Sequence, residues 1–139
     1  MAFDGPKPHE EVQVLGIDDC MARAMAIPGA CRVTLVDCTS GLPIAAAGST
    51  DPVGQDEDAA GTTDIVRAVL ASPALSMTRT GDDVAEIIVC GSGGYHLITL
   101  VDTAFDGQLF FHLLIDGEHG NLALARHRIQ TVIEEMRTS

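Results

Sequence analysis

Five histidines, four cysteines and a glycine-rich loop are the residues of this chain whose chemistry could reach beyond packing. His112 stands alone in an apolar run, Leu109-Phe110-Phe111-His112-Leu113-Leu114-Ile115, and His96 opens the apolar segment before it. On adjacent strands the two rings could approach each other, which would suit a metal ion or acid–base work. A buried histidine satisfied by backbone or a hydroxyl is the commoner outcome. Gly91-Ser92-Gly93-Gly94 joins two strand-like segments and lacks the Lys-Ser/Thr that completes a phosphate loop, so it reads as a hairpin turn. Ser40 and Ser92 each stand near a glycine, but neither has the G-x-S-x-G frame that presents a nucleophile. Asp116 and Glu118 precede a helical segment and read as its cap and dipole complement rather than as paired catalytic carboxylates. Cys20, Cys31, Cys38 and Cys90 form no CxxC pair and have no zinc-type histidine spacing, so in a reducing compartment they read as small apolar residues. The motifs point to no enzyme, no cofactor and no metal.

The elements that would position these residues follow from periodicity. Residues 1–8 carry two prolines and no pattern, and read as a flexible arm before a single domain over 9–137. A helix is expected from His9 to about Ala26, with Pro8 at its entry and Glu10 and Glu11 at the positive end of its dipole. Val14, Ile17, Met21, Ala24 and Met25 make its buried stripe. Residues 32–37 alternate, a Gly41 turn follows, and residues 42–47 return as a strand whose Pro43 suits a sheet edge. A polar, acidic loop is expected over 48–58. A short helix over about 59–71 then presents Thr63, Val66, Val69 and Leu70 on one face, with Ile65 and Ala68 beside it. Three apolar segments, 84–90, 95–101 and 108–116, form a meander, and a helix over 120–137 closes the chain. The run at 109–115 is apolar on both faces apart from His112, which implies cover on both sides of that strand. The fold class is α+β: five antiparallel strands sandwiched between helices.

Composition narrows the function. At 139 residues and 46% hydrophobic, the chain can bury a core of ordinary size and is not disordered. Its net charge of −12, with eight basic residues, repels phosphate backbones and anionic lipid, so neither nucleic acid nor a membrane is an expected partner. The acids gather at Glu10-Glu11 with Asp18-Asp19, at 51–58 and at Asp82-Asp83. No apolar run approaches the ~18 residues that span a bilayer. The start, Met1-Ala2-Phe3-Asp4-Gly5-Pro6-Lys7-Pro8, lacks a secretion signal's cationic and apolar stretches, and a cytoplasmic protein is expected.

Three strings carry a resemblance. Pro28-Gly29-Ala30-Cys31-Arg32-Val33-Thr34-Leu35-Val36-Asp37 followed by Ser40-Gly41-Leu42-Pro43-Ile44-Ala45 looks like the first hairpin of the Roadblock / dynein light chain family. Glu86-Ile87-Ile88-Val89-Cys90-Gly91-Ser92-Gly93-Gly94-Tyr95-His96-Leu97 looks like its second, and Gly120-Asn121-Leu122-Ala123-Leu124-Ala125-Arg126 like the start of its last helix. The resemblance runs from about His9 to Met136. It implies strand order 2-1-5-4-3 with two helices on one face and the middle helix on the other, a profilin-like sandwich. It also implies a non-enzymatic homodimer that regulates or scaffolds a small Ras-like GTPase, in some cases alongside a sensor kinase system. A PAS- or profilin-like ligand-sensing module is the alternative, and His96, His112 and Tyr95 are the residues that could serve a ligand. Edge strand and middle helix would form the dimer interface through Ile65, Ala68, Val69, Glu86, Ile87, Ile88 and Val89. Thr62, Val66, Arg67 and Leu70 would meet the partner, with Arg67 expected to be a solvated helix residue rather than an arginine finger.

Overall fold

Glycines at 29, 41 and 48 take positive φ and so divide the first half of the chain into its elements. The computed structural model describes residues 16–49, 52–78, 83–101 and 108–137. Within them, helix α1 (Ile17–Met25) leads to strands β1 (Ala30–Asp37) and β2 (Leu42–Gly48), then to helix α2 (Pro52–Leu70) and a short 3-10 turn at Pro73–Leu75. Strands β3 (Glu86–Cys90), β4 (Gly94–Val101) and β5 (Leu109–Asp116) follow, and helix α3 (Leu122–Arg137) ends the described chain. The arm at 1–8, residues 9–15 of the expected first helix and Val14 lie outside the described residues.

The five strands form one antiparallel sheet in the order β2-β1-β5-β4-β3. β5 is central because its residues satisfy two neighbours at once: Phe111 stands opposite Leu35 of β1 and Thr99 of β4, and Phe110 opposite Val36 and Leu100. Alternation then sends the two phenylalanines to opposite faces. Phe111, Leu113 and Ile115 join Val33, Leu35 and Leu97 under α1 and α3, which contribute Cys20, Met21, Ala24, Ala125, Ile129 and Ile133. Phe110, Val36 and Ile98 meet Ala59 and Val66 of α2 on the other face. This is the expected α+β sandwich, with Pro43 on the edge strand. One part of that expectation changes: Leu114 is only half-buried, because α2 covers the Phe110 end of the sheet and leaves the end bearing Leu114 and His96 partly open.

Three further details differ from the sequence reading. Helix α2 starts at Pro52 and runs 19 residues, so the acidic loop expected over 48–58 is largely helical. Proline loses nothing in a first turn, so Pro52 can open the helix there. Ile17 is 44% exposed and Cys20 is buried in its stead. Helix α3 is capped by Asn121, whose Oδ1 accepts the Leu124 N–H at 2.9 Å, not by Asp116. The entry to α3 crosses the α1–β1 turn so closely that a Cβ on Gly29 would stand 2.4 Å from the Gly120 Cα. An ion pair between Arg23 and Glu135 joins α1 to α3.

Candidate functional site

Helix α2 buries one face and leaves the other bare. Ala59, Thr62, Thr63 and Val66 turn toward the sheet. The two threonines can be buried because each hydroxyl donates within the helix at 2.7 Å, Thr62 to the Asp58 carbonyl and Thr63 to that of Ala59. Gly61, Asp64, Ile65 and Ala68 face outward. Of the residues expected to meet a partner, Thr62 and Val66 therefore belong to the core, and Leu70 is half-buried against the Phe110 cluster. Arg67 is exposed, as expected of a solvated helix residue, but it is also tethered. Its Nη2 donates to the carbonyls of Cys38 and Thr39, both at 2.7 Å, and ties α2 to the β1–β2 turn.

The expected interface residues fare differently. Ile65 and Ala68 are exposed, Val69 is half-buried, and Ile88 and Val89 are exposed on β3, the last strand of the sheet. Ile87 packs partly into the α2 cluster, and Glu86 pairs with Arg126 of α3. Hydrogen-bond parity settles which way the β3 backbone points. The Leu100 N–H donates to Ala85 at 3.0 Å and the Gly91 N–H to Gly94 at 2.8 Å. In an antiparallel ladder such pairs alternate, so 85, 87, 89 and 91 bond inward to β4. Glu86, Ile88 and Cys90 then point their N–H and C=O groups away from the sheet. Proline at Ile87 would break the protomer's own ladder; the outward donor at the strand's centre belongs to Ile88.

Where α2 stops covering the sheet, a groove of about 430 Å³ opens between helix and strands. His96 and His112 meet on its floor, as adjacent strands allow. Their Nδ1 and Nε2 atoms are 2.9 Å apart, with ring centroids at 5.2 Å, so one ring N–H donates to the other ring's lone pair. Burial, reinforced by His96 and Arg32, pushes the His112 pKa down to about 4, so its imidazole is neutral near pH 7. Arg32 of β1 and Asp58 of α2 also line the groove, as a 3.5 Å ion pair. The sequence reading missed both. The available signal was Arg32 on the same alternation face as Thr34 and Val36, at the entrance of a core strand.

The remaining candidates resolve into turns. Ser40 Oγ donates to Asp37 Oδ2 at 3.1 Å and accepts the Leu42 N–H, within the β1–β2 turn. The glycine loop is a hairpin, and a Cβ on Gly94 would stand 2.1 Å from the Ile115 carbonyl. Asp116 accepts the Glu118 N–H at 3.0 Å and contacts His119 Nδ1 at 2.6 Å, which holds its carboxyl below the usual range. With Glu118 and His119 it offers three metal-capable atoms within 4.8 Å of one another on an exposed turn. Cys20 and Cys38 are buried as expected, whereas Cys90 is exposed on β3.

No family model matches the sequence, and no curated protein matches it. Solved structures do. Myxococcus xanthus MglB is 21% identical with a TM-score of 0.72, over 88% of this chain and 95% of its own. A Roadblock/LC7 domain from Streptomyces avermitilis is 19% identical with a TM-score of 0.70, over 88% and 96%. Gliding protein MglB from Thermus thermophilus is 17% identical with a TM-score of 0.68, over 90% and 93%. The fold is therefore the Roadblock fold.

Proposed function

We propose that the chain is a non-enzymatic regulatory or scaffold subunit that homodimerises and binds a small Ras-like GTPase in the cytoplasm. The observation that carries this reading is the edge of β3 that no described strand pairs, where outward ladder groups run beside exposed Ile88 and Val89. Unpaired strand edges with apolar side chains invite another strand. A second copy paired antiparallel about Ile88 would satisfy Glu86, Ile88 and Cys90 together, since Ile88 would meet its mate and Glu86 would face the partner's Cys90. Registers centred on Ile87 or Val89 leave one of these three residues outside the pairing.

Paired β3 edges would bring the two α2 helices onto the same face of a continuous sheet. Ile65 and Ala68 would lie near the two-fold axis, with Asp56, Glu57, Asp58 and Asp64 around them. That outline, an apolar centre with a charged rim, suits a protein partner carrying lysines or arginines. The likeness to MglB and Roadblock/LC7 structures supports a place in a GTPase system, by the resemblance already drawn. Among the described residues no helix is long and apolar enough to cross a membrane.

The test is co-purification with the cell's Ras-like GTPases loaded with GDP or a GTP analogue, alongside light scattering of the free chain. A dimer that captures one GTPase in a nucleotide-dependent way is the expected result. A monomer at micromolar concentration, or capture of none in either state, defeats the reading. Ile65→Asp, on the outer face of α2, should weaken capture where Val66→Asp would act by unfolding a core position.

A further inference from the structure

The groove beside the histidine pair carries charges that the packing of α2 uses only through one long ion pair. Its floor, from the sheet, presents Arg32, His96 and His112; its wall, from α2, presents Glu57 and Asp58. The Arg32 side chain is only 24% exposed, yet its ion pair with Asp58 is 3.5 Å long and Asp58 itself is 59% exposed. Charge-assisted contacts normally close to ~2.7–2.9 Å, and a buried charge needs such a partner. Elsewhere the chain closes these contacts: Arg67 meets two carbonyls at 2.7 Å, and Arg23 and Arg126 each touch a carboxylate. Gly61 adds a second observation. It lies inside α2 on the groove wall, where glycine costs roughly 1 kcal/mol relative to alanine, and a Cβ built there would meet nothing within 4 Å. Among the described residues no neighbour requires that glycine, and its absent side chain leaves the mouth of the groove clear of them.

The charge pattern decides what fits. A simple oxyanion would meet Arg32 but face Glu57 and Asp58 in a chain of net charge −12. A simple cation would meet those acids but face Arg32. A molecule carrying both charges on one carbon could insert into the long Arg32–Asp58 pair and turn one loose contact into two close ones. We infer that the groove is a binding site for a free α-amino acid with an apolar side chain. Its carboxylate meets Arg32 and a ring N–H of the histidine pair, its ammonium meets Asp58 and Glu57, and its side chain lies along Ile65, Val89 and Ile98. Binding is non-covalent. It would make the face beside α2 responsive to a metabolite, which goes beyond the proposed GTPase role and does not depend on it.

Calorimetric titration of the full chain with L-leucine tests this, beside two analogues that each keep one charge: 4-methylpentanoate and 3-methylbutylamine. Leucine should bind saturably, and each analogue should bind roughly tenfold or more weakly, the usual loss for a charge-assisted contact. Arg32→Gln and Asp58→Asn should each weaken leucine by a similar factor. Ile65→Asp changes an exposed side chain, leaves the core intact, and should abolish binding while circular dichroism stays native. No leucine binding up to millimolar concentration overturns the proposal. So does equal binding of 4-methylpentanoate, or unchanged leucine affinity in folded Arg32→Gln or Ile65→Asp. Light scattering on the same samples reads the dimer separately, so the two readings can fail independently.

Discussion

Two neighbouring proline substitutions on β3 should have opposite consequences. Ile88 points its N–H out of the sheet and Ile87 points its own toward Ile98 of β4, by the parity of the Ala85–Leu100 and Gly91–Gly94 pairs. Proline at Ile88 therefore removes one outward donor per chain, two per dimer, and leaves the protomer's ladder whole. At about 0.5–1.5 kcal/mol for each net hydrogen bond, the dimer loses roughly 1–3 kcal/mol. That corresponds to a rise in dimer Kd of about 5- to 150-fold. Proline at Ile87 instead orphans the Ile98 carbonyl, at about 1–3 kcal/mol, and also disturbs a side chain packed into the Phe110 cluster. It should lower the melting temperature of the protomer. Sedimentation equilibrium over a concentration series, with urea unfolding of each variant, separates the two effects. If Ile88→Pro folds normally and dimerises as tightly as the unmodified chain, β3 pairing is wrong. If Ile87→Pro leaves stability unchanged, the parity argument itself fails.

Phe111→Ala, at a fully buried position in the larger core cluster, should cost about 3–5 kcal/mol in urea unfolding, the usual range for such a truncation. Because the folded His112 pKa lies near 4, below the unfolded value near 6.5, the unfolded chain binds more protons between those values. The contribution of His112 is thus fully present above about pH 6.5 and is lost as pH falls toward 4, on the order of 3 kcal/mol in all. His112→Gln should flatten the stability–pH curve in that window relative to the unmodified chain, and parallel curves would contradict it. Arg67→Ala should lower stability by about 1–2 kcal/mol through its lost carbonyl contacts, while leaving any GTPase stimulation within severalfold in a single-turnover assay.

What the sequence alone determined is the sheet and its layers. Alternation in 32–37, the uninterrupted apolar run around Phe110 and Phe111, and the glycines at 41 and 91–94 are local signals, since strand period and turn geometry depend on neighbouring residues. They placed five strands and put Pro43 at an edge, and the family resemblance supplied the order. The start of α2 was not legible because propensity is a weak guide. Gly54 and the acids at 51–58 argue for a loop, yet the helix runs through them from Pro52. Nor was the working face of α2, since one residue of helix is ~100° of rotation and separates buried Val66 from exposed Ile65. The histidine pair joins residues 16 apart in sequence, and the Arg32–Asp58 pair joins a strand to a helix beyond the next strand. Which backbone groups of β3 face outward depends on its pairing with β4. These are properties of contact between distant segments, and only the tertiary structure decides them.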